Sequence, residues 1–271
     1  MPGTFDWRQE REGAGVRLAV LGHPIAHSLS PAMHAAALKA ANIEGEYKAF
    51  DVVPEEFDAC IAHLRGMGYR GVNATAPLKT ACAEAADALD ETVLLLGAAN
   101  TLIFGGQVRA ANTDVEGFLA PLKSLAKGSA LVIGAGGAAS AACFGLKREG
   151  WKVQIWNRTF KRAEQLAERI GAWAMKTLSF SGADLIVNAT PVASFEMNWE
   201  AVRTSAIVYD LAYGAGPTKL LMEAAERGLR TIDGREMLVE QGARAFELWT
   251  GVWPDVGAMR EAVGLRYSAG L

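Results

Sequence analysis

The stretch Ala130-Leu131-Val132-Ile133-Gly134-Ala135-Gly136-Gly137-Ala138-Ala139 decides how the chain is read. Its run of apolar residues predicts a strand buried on both faces in a parallel sheet. Residues 134–139 then have the G-x-G-x-x-A form of a strand-to-helix turn that holds a dinucleotide. Gly134 permits the tight turn, Gly136 lets the backbone approach a pyrophosphate, and Ala139 lets helix and strand pack closely. The free N–H groups and the positive dipole end of the next helix attract phosphates. Gly134, Ala135, Gly136, Gly137 and Ala138 are therefore candidate cofactor contacts.

The second strand of such a unit separates the two common dinucleotides. An NAD site usually ends it with an acid, about 20 residues on, to hold the ribose 2′-hydroxyl. Here a strand over 153–156 runs into Asn157-Arg158-Thr159, with Lys161 and Arg162 close behind and no acid in place. A carboxylate repels a 2′-phosphate, whereas Arg158 makes a charge-assisted bond to it. Thr159 adds a hydroxyl and is expected to cap the next helix. The expected cofactor is NADP.

Working outward, strand-like runs over 17–21, 47–52, 71–75, 185–188 and 207–210 alternate with helical stretches, the pattern of an α/β protein. Helices are expected over 31–41, with Ser30 as N-cap, over 54–65, after Pro77 and over 236–250. Gly105-Gly106 reads as a two-residue hairpin turn. The expected architecture is two domains: an N-terminal α/β domain over 16–113 joined by 238–271, and a Rossmann-type nucleotide-binding domain over 114–237. Residues 1–15 are expected to form a mobile arm.

Composition narrows the classes. With 271 residues, 51% of them hydrophobic, the chain can build sizeable cores. A formal charge of −3 argues against a nucleic-acid or anionic-membrane partner. The three cysteines have no C-x-x-C spacing, which suits a reducing cytoplasm and no disulfide framework or thiolate metal site. The four histidines make no metal set, and no apolar run has the ~20 residues of a membrane helix.

Several other segments carry polar groups at positions where ligands bind. Ser28 and Ser30 stand two apart before a helix and suit a carboxylate, although Ser30 also reads as a plain cap. Lys79 follows a strand and a proline turn, a place where α/β proteins bind ligands, and it also reads as a solvent-facing lysine. Asp114 closes Asn112-Thr113-Asp114 and also reads as a helix cap.

Taken in order, G-x-P-I-x-H-S-L-S-P, G-x-N-x-T-x-P-x-K, A-N-T-L, N-T-D, the glycine turn and D-G-x-x-M-L-V-x-Q-G-A resemble the shikimate dehydrogenase family from about Arg17 to the C-terminus. The resemblance implies an NADPH-dependent, reversible reduction of 3-dehydroshikimate to shikimate. It implies that Ser28 and Ser30 bind the substrate carboxylate, and that Thr75, Asn100, Asp114, Tyr213 and Gln241 bind its ring hydroxyls or neighbouring groups. Lys79 is implied as the catalytic proton carrier with Asp114 beside it, and Leu211 and Gly234 as nicotinamide neighbours. A small-molecule substrate, a monomer or homodimer and no metal complete the expectation. The rival readings are a quinate/shikimate dehydrogenase of broader specificity and a non-catalytic, ligand-sensing relative. Departures from the family pattern are Ala74 where Val is frequent, Ala193 where Gly is frequent, and the glycine-rich Gly214-Ala215-Gly216.

Overall fold

The computed structural model describes residues 4–191, 195–214 and 216–265, so Ala193 and Ala215 lie outside the described residues. The chain divides into two compact units, Met1–Thr113 with Leu238–Leu271, and Asp114–Met237. Each is a mixed α/β unit built on a six-stranded sheet.

In the first unit, β1 (Val16–Gly22) is buried along almost its whole length, as an apolar run in a central strand should be. Next come α1 (Ser30–Ala40), β2 (Gly45–Asp51), a 3₁₀ turn at Pro54–Glu56 and α2 (Phe57–Gly66). β3 (Gly71–Ala74), α3 (Lys79–Glu84), β4 (Ala88–Leu89), α4 (Glu91–Leu96), β5 (Thr101–Ile103) and β6 (Arg109–Ala111) follow. The sheet order is β2-β1-β3-β5-β6-β4. Because β1 and β3 are parallel and β5 runs antiparallel to β3, the ends of β1 and β3 share one edge with the start of β5.

The hairpin register differs from the expected one. Ile103 pairs with Arg109 and Thr101 with Ala111, so residues 104–108 form the loop in place of a two-residue turn. The Phe104 N–H is spent on the Arg70 carbonyl at 2.9 Å, which leaves it nothing to give across the hairpin.

The expected mobile arm is corrected too. The Phe5 N–H donates to the Ala49 carbonyl at 3.1 Å, and Trp7 is buried. Glu10 is buried against Arg17, and accepts from Lys48 at 3.0 Å and from the Tyr69 hydroxyl at 2.9 Å. Arg17 further bonds Glu46 at 2.8 Å and the carbonyls of Arg11 and Met67 at 2.6 and 2.7 Å. A buried charge is tolerated only with such partners, so residues of the arm are docked by satisfying one another.

The second unit opens with α5 (Asp114–Leu119), then β7 (Ser129–Ile133), α6 (Gly137–Arg148), β8 (Lys152–Trp156), α7 (Phe160–Ile170) and β9 (Trp173–Met175). β10 (Leu185–Asn188), β11 (Ile207–Asp210), α8 (Lys219–Glu226) and β12 (Arg230–Asp233) complete it. All pairings are parallel, in the order β12-β11-β10-β7-β8-β9. The chain runs outward from β7 in one direction and then from β10 in the other. This is the doubly wound Rossmann arrangement, whose ligand crevice lies at the switch between β7 and β10.

Within α9 (Gly234–Thr250) the chain returns to the first unit, and α10 (Val256–Ala262) follows. Trp249 Nε1 donates to the Leu102 carbonyl at 2.9 Å. A Cβ on Gly71 would lie 2.2 Å from that nitrogen, so only glycine in β3 lets α9 seat there.

His34 on α1 is fully buried. It stacks on Tyr47 with centroids 4.2 Å apart and neighbours Phe246 and Trp249. Burial pushes its pKa down to about 3 from the ordinary 6.5. Between these values the unfolded chain binds more protons than the folded one. Stability therefore falls as pH falls through that window, at up to about 1.4 kcal/mol per pH unit. Urea unfolding across the window should show this slope in the wild type and a flatter one in His34→Phe; equal slopes would remove His34 as its source.

Candidate functional site

In the second unit the turn after β7 has the geometry a dinucleotide needs. Gly134 sits at φ +122, and a Cβ there would come within 3.0 Å of the Ala189 carbonyl oxygen. Ala139 is fully buried, as close packing of α6 on the sheet requires. A Cβ on Gly136 would meet no protein atom within 4 Å, so the outer face of the turn is open. Gly136 caps α6 by position with no side-chain hydrogen bond, leaving the first-turn N–H groups to an anion. These features fit a bound pyrophosphate.

After β8, Asn157 donates through Nδ2 to the Thr159 carbonyl at 2.9 Å and shapes the turn that presents Arg158. Arg158, Thr159 and Arg162 are exposed. Thr159 occupies the N-cap position of α7 but makes no side-chain cap bond, contrary to the expected role, so its hydroxyl is not committed to the helix. A cleft of about 570 Å³ beside the glycine turn is lined by Ala135, Arg162, Gln165, Leu166, Glu168 and Arg169. Arg169 also donates to Ser140 Oγ of α6 at 3.2 Å. Arg169 is missing from the sequence-based set, although it lies two helical turns beyond Arg162 on the same face.

The loops after β10 and β11 are tied to each other. Asn188, fully buried, donates through Nδ2 to Asp210 at 2.8 Å, while its Oδ1 accepts from the Thr190 N–H and hydroxyl at 3.1 and 2.6 Å. Asp210 also accepts from Thr218 Oγ1 at 2.6 Å and the Ala212 N–H at 3.1 Å. Burial pushes the Asp210 carboxyl up, against the pull of these donors. The same loop carries Leu211 and Tyr213. Burial, reinforced by the Asp114 carboxylate, pushes the Tyr213 phenol up. A Cβ on Gly234 would lie 2.6 Å from the Leu211 carbonyl oxygen, so no side chain fits between them.

In the first unit the motif segments meet at the carboxyl edge of β1 and β3. The His23 N–H donates to the Ala76 carbonyl at 3.2 Å, and a Cβ on Gly22 would lie 2.5 Å from Thr75 Cγ2. Close approach at Gly22 thus sets the serine segment against the turn that leads to Lys79. The expected capping role of Ser30 is corrected as well: it lies inside α1, and Leu29 is the cap residue. Ser28 Oγ accepts from the Ser30 N–H at 3.3 Å, so the cap-like bond belongs to Ser28. Lys79 is the half-buried first residue of α3.

Behind this edge lies a buried amide cluster. Asn100 Nδ2 donates to Gln241 Oε1 at 3.1 Å and to Thr113 Oγ1 at 2.9 Å, and its Oδ1 accepts from the Thr113 N–H at 2.8 Å. Asn73 and Thr101 complete it. The structure thus joins Asn100 to Gln241 directly. Asp114, buried, opens α5 in the second unit, where a helix N-terminus favours a carboxylate. Asn73, Thr101, Thr113, Asn188 and Asp210 are absent from the sequence-based set. For Asn73, Thr101, Asn188 and Asp210 the signal was a polar side chain within or at one end of an apolar strand; Thr113, in the loop after β6, carried no such signal.

Among the described residues no group of three or more His, Cys, Asp or Glu could hold a metal ion, and no helix is long and apolar enough to cross a membrane.

Three family models match the chain: the shikimate dehydrogenase substrate binding domain over residues 20–102, shikimate / quinate 5-dehydrogenase over 119–205, and the shikimate 5′-dehydrogenase C-terminal domain over 234–263. The shikimate dehydrogenase (NADP(+)) of Thermus thermophilus is 44% identical over 91% of this chain and 97% of its own length. That of Methanopyrus kandleri is 41% identical, covering 91% and 94%. The crystal structure of the Thermus thermophilus shikimate 5-dehydrogenase in complex with NADP(H) and shikimate superposes with a TM-score of 0.86 at 42% identity, over 92% of this chain and 98% of that one.

Proposed function

The chain belongs to the shikimate dehydrogenase family, and from that premise we propose that it reduces 3-dehydroshikimate reversibly to shikimate with NADPH. This step belongs to the shikimate pathway of aromatic amino-acid biosynthesis. The observation that carries the reading is the gathering of Thr75, Lys79, Asn100 and Gln241 with the serine segment about one edge of the first unit's sheet. Three free, buried cysteines support a reducing, cytoplasmic setting.

The glycine turn and α6 hold the pyrophosphate through backbone N–H groups. Asn157, Arg158, Thr159 and Arg162 take the 2′-phosphate, which a guanidinium binds with charge-assisted bonds. Leu211 and Gly234 serve the nicotinamide end. When bound, NADPH supplies the hydride, for which proteins have no side-chain source.

The chain's own chemistry is binding and proton transfer. Ser28 and Ser30 receive the substrate carboxylate. Thr75, Asn100, Gln241 and Tyr213 hydrogen-bond its hydroxyls. Reduction at the carbonyl carbon leaves charge on the oxygen unless a proton arrives with it. Lys79 holds that proton on Nζ, gives it to the oxygen in reduction and takes it back in oxidation. Asp114 fills the companion carboxylate role of the family pattern.

Three measurements test this. With 3-dehydroshikimate, kcat/KM should be higher for NADPH than for NADH, and Arg158→Ala should raise the NADPH KM by about tenfold while sparing NADH. A wild type equally active with NADH would overturn the NADP assignment. Lys79→Ala should lower kcat by about 10²-fold or more with NADPH affinity retained, and an unchanged kcat would take the proton from Lys79. Ser28→Ala and Ser30→Ala should mainly raise the substrate KM; a rise confined to the cofactor KM would contradict the carboxylate assignment. Running the same assay with quinate separates the strict enzyme from its broader relative.

A further inference from the structure

A side-chain amide has a donor end and an acceptor end of nearly equal shape, so its neighbours must decide which way it faces. In the first unit they do so in a directed chain. Asn73, in the middle of β3, is buried. One end of its amide lies 3.0 Å from the Asn100 carbonyl, which can only accept, so that end is Nδ2. Its Oδ1 then accepts from the Tyr47 hydroxyl at 2.7 Å. Nδ2 also donates to Thr101 Oγ1 at 3.0 Å. Having accepted there, the Thr101 hydroxyl directs its one hydrogen to Asn100 Oδ1 at 3.1 Å.

We propose that Thr101, oriented by Asn73, is a positioning residue that turns the donor end of the Asn100 amide toward Gln241. The inference rests on the reading of Asn100 and Gln241 as substrate residues. The Thr113 N–H, which can only donate, reaches the same Oδ1 at 2.8 Å and agrees with the relay. Gln241 is oriented independently, because its Nε2 donates to the Leu238 carbonyl at 2.8 Å. Asn100 Nδ2 and Gln241 Oε1 therefore meet as donor and acceptor at 3.1 Å.

Thr101→Val removes the hydroxyl at nearly constant shape. The expected result is a shikimate KM raised by on the order of tenfold, the worth of one buried hydrogen bond, with the NADP KM unchanged and Thr101→Ser close to wild type. In the ligand-free protein the Asn100 side-chain amide signals in heteronuclear NMR should shift in the Val variant and hold in the Ser variant. An unchanged shikimate KM, or both KM values rising together, would overturn the proposal. A wild type that does not turn over shikimate would sink the substrate reading instead, and the NMR arm would still test the relay. Should Thr101→Val not fold, Tyr47→Phe probes the far end of the chain; Asn100 signals indifferent to it would overturn the relay.

Discussion

A buried amide must find a partner for each of its donors and acceptors, and that requirement organises the working edge of both units. Asn73 meets it by bonding to β2 through Tyr47 and to Asn100 and Thr101 at the start of β5. Asn188 meets it by bonding Asp210 at the end of β11 and Thr190 in its own following loop. In each case an apolar strand carries one polar residue, and the cost of leaving it unpaired, about 1–3 kcal/mol or more, holds neighbouring segments in a single arrangement. The loops that carry the candidate site residues are therefore anchored at their roots.

Charge is distributed with similar economy. The chain is net acidic, with a formal charge of −3, yet Arg162 and Arg169 of α7 line the cleft beside the glycine turn, and Arg158 stands just before that helix. A local cluster of guanidinium groups is enough to receive a phosphate, whatever the overall sign. The buried charges of the first unit serve another end. Glu10, Arg17, Lys48 and Glu46 neutralise one another and hold the N-terminal segment to the sheet. Their mutual satisfaction, more than net attraction, is what makes burial tolerable.

Local chemistry was legible in the sequence where it is settled by neighbours in the chain. The strand before Gly134, the turn itself, the missing acid after β8 and the alternation of strands and helices depend on short-range sterics and periodicity, and these stand as read. The ordered motifs also carried the family. Misreadings fall where a distant partner intervenes. Residues 5–10 read as an arm because a polar, charged stretch has no local reason to order; the partners of Glu10 lie at Lys48 and Tyr69. The Gly105-Gly106 turn was displaced because Arg70 claims the Phe104 N–H. Ser30 read as a cap, but the helix begins one residue earlier than expected.

By itself, then, the sequence determined the α/β class, the dinucleotide turn and the set of polar residues set against apolar strands. Only the tertiary structure decided which of those residues touch. Asn100 and Gln241 are far apart in the chain and 3.1 Å apart in space, and the direction of their hydrogen bond follows from carbonyls and N–H groups of other segments. Hydrogen-bond polarity is a property of the assembled neighbourhood. No spacing along the chain encodes it.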